Sequence, residues 1–328
     1  MKAFDPLWVP LLTHYDRSPQ PRLDPARTAD HLRHITPHVR QYLIAGTTGD
    51  GWELSDSLLE DWLDFAQRSP ALTSEHKLLF GAFGATTEAV IERAQAIERA
   101  VEAKPLAATY AGLTVCAPVS ADAGQDRIAD HFRRILSATT SPLALYQLPQ
   151  VVHCEIAPRT FAELAGSTSR IVLFKDTSGG DKVARSEVPA GGARLLRGAE
   201  GDYASHLKPK GLYDGWLLST ANGFGGQLRA VADQAASGQW QRAVESSAAL
   251  TALVERLFAA AEGLPSGNPF SNANRAVDHI FAYGSRWRDE PARLISGEDL
   301  PESFLSRVEG LLQESGWAAR EGYRRRAA

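Results

Sequence analysis

A lysine that ends an apolar run, as Lys175 does in Ile171-Val172-Leu173-Phe174-Lys175-Asp176, is placed for a particular chemistry. Four apolar residues followed by the turn-prone Thr177-Ser178-Gly179-Gly180 read as a strand buried on both faces, the form strands take in a parallel sheet. An ammonium there is hard to keep charged. Desolvation lowers its pKa, and a neutral amine attacks carbonyl carbon. An imine formed with a 2-oxo acid draws electrons from the neighbouring carbon and permits C–C cleavage, C–C formation or loss of water. The competing reading is a strand-end lysine that snorkels to solvent or pairs with Asp176.

Two further stretches give that amine company. Gly46-Thr47-Thr48-Gly49-Asp50-Gly51 offers hydroxyls and, through its glycines, close backbone N–H groups that can hold a carboxylate. It lacks the Gly-Lys-Ser/Thr of a nucleotide loop, so ATP is not expected there. Tyr146, in Leu143-Ala144-Leu145-Tyr146-Gln147-Leu148-Pro149, can relay protons between substrate and water. Glu200 and Gln147 also follow apolar runs and are candidates for contacts to substrate hydroxyls; Ser120, Asp176, Ser219, Thr220 and Asn222 complete the polar strand ends. Singly, the Thr-Thr stretch reads as a bare turn and Tyr146 as a rim aromatic. Their order sets them apart: Thr-Thr, then Tyr, then Lys, on the second, fifth and sixth apolar runs. His153 reads as a loop residue, Asn272 and Asn274 as loop and cap chemistry, and Trp52 as packing for the Thr-Thr loop.

The elements that must position these residues alternate. Apolar runs at Leu7–Leu12, Tyr42–Ala45, Lys77–Phe83, Leu113–Cys116, Leu143–Tyr146, Ile171–Phe174, Arg194–Leu196 and Gly215–Ser219 are separated by amphipathic segments, including a short helix expected at Asp202–Lys208. Asp24 with Pro25, and Ser55, are helix-start signals. Eight βα units predict an α/β protein, a (β/α)8 TIM barrel over residues 1–235. Active-site groups then belong at the carboxyl ends of the strands. From about residue 236 to 328 the strand signal stops, and Gln239–Ala261, Ser271–Tyr283 and Pro301–Trp317 read as a C-terminal helical domain.

The 328 residues are 44% hydrophobic, with a net charge of -4, which gives no reason to expect nucleic acid as a partner. The cluster Arg320, Arg324, Arg325, Arg326 reads as the end of a solvated helix. Cys116 and Cys154 have no metal-ligand spacing, and so few cysteines fit a reducing compartment. No apolar run approaches a membrane span, so a soluble, cytoplasmic protein is expected.

These residues resemble the dihydrodipicolinate synthase / N-acetylneuraminate lyase family of Schiff-base aldolases and lyases, over nearly the whole chain. Gly46-Thr47-Thr48-Gly49-Asp50 is similar to the family's Gly-Thr-Thr-Gly-Glu, which binds the keto-acid carboxylate. Tyr146-Gln147-Leu148-Pro149 is similar to its Tyr-Asn-x-Pro, and Phe174-Lys175-Asp176-Thr177-Ser178-Gly179 to the segment whose Lys forms the imine. Gly198 and Leu217 to Asn222 are similar to later segments that line the site. The resemblance implies catalytic Lys175, Tyr146 and Thr47, substrate contacts at Thr48, Gly49, Gly198 and Leu217, no metal or organic cofactor, and a homo-oligomer, dimer or tetramer.

The departures are as informative. Where the lysine-pathway synthases carry a second Tyr after strand four, this chain has Ala117-Pro118-Val119-Ser120; where they carry an Arg for the second substrate's carboxylate, it has Val151. Valine cannot bind a carboxylate, so the distal end of the substrate is expected to be less charged or more apolar. The leading expectation is a lyase that cleaves or forms a C–C bond at a pyruvate-type 2-oxo acid, with an aldehyde as partner. The alternatives are a hydro-lyase (a dehydratase of a 2-oxo-3-deoxy sugar acid, or a hydratase-aldolase on an apolar conjugated keto acid) and a non-catalytic barrel that binds a keto acid.

Overall fold

The computed structural model describes residues 4–318 and 321–324. Eight strands, β1 (Leu7–Pro10), β2 (Gln41–Ile44), β3 (Lys77–Gly81), β4 (Thr109–Cys116), β5 (Leu143–Gln147), β6 (Ile171–Asp176), β7 (Arg194–Arg197) and β8 (Gly215–Leu217), pair in parallel and in chain order, and β8 closes onto β1. Between them run α1 (Pro25–Ile35), α2 (Asp56–Arg68), α3 (Thr87–Ala103), α4 (Gln125–Ala138), the single turn α5 (Pro149–Val152), α6 (Pro158–Ser167) and the single turn α7 (Lys182–Arg185); α8 (Ala221–Ala236) follows β8. The (β/α)8 barrel is the one expected. Asp24 and Ser55 cap α1 and α2 as read, accepting from Arg27 N and Leu58 N.

Why the strands are apolar on both faces is plain from the packing. Side chains alternate across a strand. Trp8, Leu43, Leu79, Ala144, Leu173, Leu196 and Leu217 fill the barrel interior, while their neighbours Val9, Tyr42, Phe80, Leu145, Phe174 and Trp216 pack outward in the helix-facing core. The same alternation decides which strand-end residues look into the mouth.

Two segments differ from expectation. At Asp202–Lys208 there is one 3-10 turn, Tyr203–His206. Asp202 is left-handed (φ 47°), and the bridge between Leu207 and Tyr213 leaves room for no more. The eighth strand stops at Leu217, because Ser219 and Thr220 already lead into α8. Beyond the barrel lie α9 (Trp240–Ala261), α10 (Pro269–Tyr283) and α11 (Glu302–Glu314); α9 packs along α8, and α10 and α11 pack on α9. The basic tail does not end a solvated helix at Arg324, which bonds Asp30 and the Tyr283 hydroxyl; Arg320, Arg325 and Arg326 lie outside the described residues. Among the described residues no helix is long and apolar enough to cross a membrane.

Candidate active site

Register brings the chemistry to one level. Cys116 on β4 is paired with Tyr146 on β5, and Tyr146 with Lys175 on β6. Lys175 shares the inward face with Leu173, so it points into the barrel and is only 4% exposed. Its Nζ lies 4.0 Å from the centroid of the Tyr146 ring. Burial pushes the ammonium down to about 7, against the upward pull of the Cys116 thiol and the Glu200 carboxylate. Asp176, one residue on, faces the other way and accepts from Ser178 N (2.9 Å), Ser178 Oγ (2.6 Å) and Tyr213 OH (3.3 Å). The alternation of the strand therefore rules out the Lys175–Asp176 pair.

Space for the lysine is made on β7's extension. A Cβ at Gly198 would lie 2.7 Å from Lys175 Cε and 2.5 Å from Thr177 Cγ2, well inside the ~3.5–4.0 Å at which carbon atoms rest. A side chain at 198 would therefore have to displace the Lys175 stem or the Thr177 methyl group.

Tyr146 is buried, and burial pushes its phenol above the usual range; the neighbouring Thr47 and Thr177 hydroxyls act in the opposite direction. Thr177 Oγ1 itself donates to Gln147 O (2.6 Å). Thr47 and Thr48 sit in a 3-10 turn, Thr47–Gly49, just after β2. Trp52 Nε1 donates to Thr47 Oγ1 (3.2 Å), and its ring stacks on Phe83, which in turn lies against Tyr146. Trp52 does pack this loop, as read. It also fixes one lone pair of Thr47 Oγ1, leaving that hydroxyl's proton to point elsewhere.

The turn is tied down from behind. Asp50, left-handed at φ 60°, is buried and accepts from Arg275 Nη2 and Tyr15 OH, both at 2.7 Å. Ser271 Oγ donates to Thr47 O (3.2 Å), and Asn268 caps α10 beside it by accepting from Ser271 N (2.8 Å). A C-terminal helix thus holds a loop that follows the second strand. Gly49 lies against the segment that follows β1, where a Cβ would collide with the Leu11 carbonyl, and its own carbonyl accepts from Thr13 Oγ1 (2.7 Å).

A cavity of about 480 Å³ opens above these groups. Of the expected site residues, Thr47, Thr48, Tyr146, Val151, Lys175, Gly198, Glu200 and Leu217 line it. Gly49 and Gln147 do not. Gln147 follows Tyr146 and so faces outward, where its Oε1 accepts from Ile156 N (2.8 Å). This corrects the reading of Gln147 as a substrate contact. Glu200 accepts from Ser219 Oγ (2.7 Å), Thr220 N (3.1 Å) and Tyr203 OH (3.1 Å), and burial pushes its carboxyl up. Asn222 is structural, bonding Pro10 O and Ser219 O, as are Asn272 and Asn274, which donate to Ser266 O and Phe270 O. Sequence reading missed Thr177 and the wall from α9 and α10, notably Val254, Glu255, Phe258 and Phe270. On α9 the signal was present as the helical stripe Thr251, Val254, Phe258, but nothing local says that this stripe meets the mouth.

Among the described residues, His14, His31 and Asp278, all buried, come together as candidate metal ligands. Asn222 O can only accept, so His31 Nε2 carries the proton in their 3.0 Å bond, and His31 Nδ1 accepts from His14 Nε2 (3.0 Å). Asp278 is held by Arg27 and by Tyr323 OH (2.6 Å). Burial pushes both imidazoles down. The network is a satisfied structural one, with the lone pairs a metal would need already engaged at His31 and Asp278.

Residues 26–267 match the model of the dihydrodipicolinate synthetase family. The 4-hydroxy-tetrahydrodipicolinate synthase of Synechococcus sp. (strain CC9902) is 30% identical over 246 residues, 73% of this chain and 76% of that one. Among solved structures, KD(P)GA from T. tenax aligns with a TM-score of 0.70 at 22% identity, over 95% of this chain and 99% of that one. YagE, a prophage protein of the dihydrodipicolinic acid synthase family from E. coli K12 solved in complex with pyruvate, aligns with a TM-score of 0.75 at 18% identity, over 96% and 100%. The structural likenesses carry the fold, and the sequence match spans most of the chain. The chain belongs to the dihydrodipicolinate synthetase family.

Proposed function

We propose that this protein is a lyase that joins Lys175 to a pyruvate-type 2-oxo acid as an imine and makes or breaks the C–C bond beyond the adjacent carbon. The observation that carries the reading is the buried Lys175 amine, held down to about 7 and lying 4.0 Å from the ring centroid of Tyr146. YagE, a relative solved in complex with pyruvate, supports the choice of keto acid.

The chemistry then follows from the groups at hand. Neutral Nζ attacks C2 of the keto acid, whose carboxylate sits on the Thr47–Thr48 turn. The C2 oxygen leaves as water, and the imine, once protonated, withdraws electrons from C3. In the cleavage direction the C3–C4 bond breaks, its electron pair moves into the enamine, and the C4 hydroxyl gives up its proton as C4 becomes an aldehyde. Tyr146 relays that proton, handing one on as it accepts one, a role suited to a phenol that burial keeps protonated. Protonation of C3 and addition of water release the keto acid and restore the amine. Condensation is the reverse.

A hydro-lyase is the second reading. Glu200 lines the same cavity, which places an acid/base group where a hydroxyl could depart. Both readings share the imine. Borohydride with pyruvate is expected to trap a covalent adduct on Lys175 that Lys175→Ala abolishes. An adduct elsewhere, or none with any small 2-oxo acid, overturns the mechanism. Pyruvate release against water loss, across a panel of 2-oxo acids, separates the two readings.

A further inference from the structure

We infer that the partner aldehyde is uncharged and carries an aromatic or branched apolar group, and that the C-terminal helices, more than the barrel, select it; the inference rests on the imine reading above. Charge comes first. Among the described residues lining the cavity, Lys175 is the one cation, and it is consumed by the keto acid. Glu200 and Glu255 are both carboxylates of the same wall. A carboxylate on the incoming aldehyde would find no counter-ion and two groups of its own sign.

Two polar side chains toward the rim are partly engaged: Gln150 Nε2 donates to Thr177 O (2.8 Å), and Thr251 Oγ1 accepts from Asp202 N (3.0 Å). Most of the surface that the cavity exposes is apolar. Val151 on α5, Val254 and Phe258 on α9 and Phe270 at the start of α10 stand along the same cavity. The Phe258 and Phe270 rings meet at right angles with centroids 4.9 Å apart, the edge-to-face geometry that leaves a ring face free for a third aromatic. Phe270 is 48% exposed, and Val244 is its one companion as an exposed large apolar side chain among the described residues. A phenyl or branched alkyl group seated there removes apolar surface from water on both partners.

The test uses the full-length chain with pyruvate and three aldehydes: benzaldehyde, acetaldehyde and succinic semialdehyde. The kcat/KM for benzaldehyde is expected to exceed that of either other aldehyde by about tenfold or more, within the range an apolar pocket can discriminate. Phe258→Ala and Phe270→Ala are each expected to lower the benzaldehyde-to-acetaldehyde ratio by about tenfold, with Phe270→Leu falling between. The ratio is internal to each preparation, so a partly folded variant does not mimic the effect. Preference for succinic semialdehyde, or a ratio unmoved by both substitutions, overturns the inference. Borohydride trapping of pyruvate alone distinguishes the failures: an adduct on Lys175 without aromatic preference removes this inference and leaves the imine, whereas no adduct removes both.

Discussion

The rate at which Lys175 captures pyruvate should rise with pH and level off just above neutrality. Only the neutral amine attacks. With burial moving the group from the ordinary 10.5 to about 7, roughly half of it is neutral at pH 7, against about 3 × 10⁻⁴ for an unperturbed lysine, a gain of roughly 10³-fold. One unit lower, near pH 6, the neutral fraction falls to about one tenth. The assay is the initial rate of cyanoborohydride-trapped adduct, read by mass from about pH 5 to about pH 9, with a midpoint near 7 expected. Glu200 pulls the amine upward, so Glu200→Gln should move the midpoint lower. A rate that still climbs about tenfold per unit at pH 9 would mean an ordinary lysine, and desolvation in the barrel mouth would no longer explain its reactivity.

Three further outcomes test other parts of the site. Tyr146→Phe should lower turnover by about 10²–10⁴-fold while imine formation persists in part; unchanged turnover removes the phenol from proton transfer. Gly198→Ala should displace the lysine stem by roughly 1 Å and slow trapping on the order of 10²-fold with the melting temperature as control; an undiminished rate would show that the stem has room to yield. Lys175→Met should stabilise the fold at pH 7 by a few kcal/mol, read by urea denaturation. The sign follows from proton counts. The folded pKa lies below the unfolded one, so between about 7 and 10.5 the unfolded chain binds more protons and the native protein gains stability as pH rises. The difference between the two proteins should therefore shrink across that window, and a constant difference would refute the assignment.

How legible was the site? The barrel was legible because each buried strand is an unbroken apolar run, and Lys175 and Tyr146 stood out only through their order with the Thr47-Thr48 turn, since each alone has a bland strand-end reading. Gln147 was misplaced for a reason the sequence itself contains. Tyr146 and Gln147 are adjacent, and adjacent strand residues cannot both face the mouth. Counting polar strand ends without their parity produced the error. Gly198 was found by resemblance, but its physical reason, contact with the Lys175 stem, needs coordinates. Phe258 and Phe270 were beyond reach for a different cause. They sit on helices whose internal periodicity is legible, but which face of α9 leans over the barrel is decided by its packing on α8, a contact with no local mark in either segment. The short turn at Tyr203–His206 likewise reflects a bridge between residues that the chain pattern does not announce.

The fastening of the Thr47 turn by α10 has a consequence in time. Asp50 leaves the ribosome 225 residues before Arg275, the partner that anchors it. At ordinary rates of synthesis that interval is roughly 10–45 s. Throughout it the turn has only its N-terminal fastenings, Tyr15 on Asp50, Thr13 on the Gly49 carbonyl and Trp52 on Thr47. The Arg275 anchor, and with it the complete set of ties on Asp50, therefore forms only when nearly all of the chain has been made.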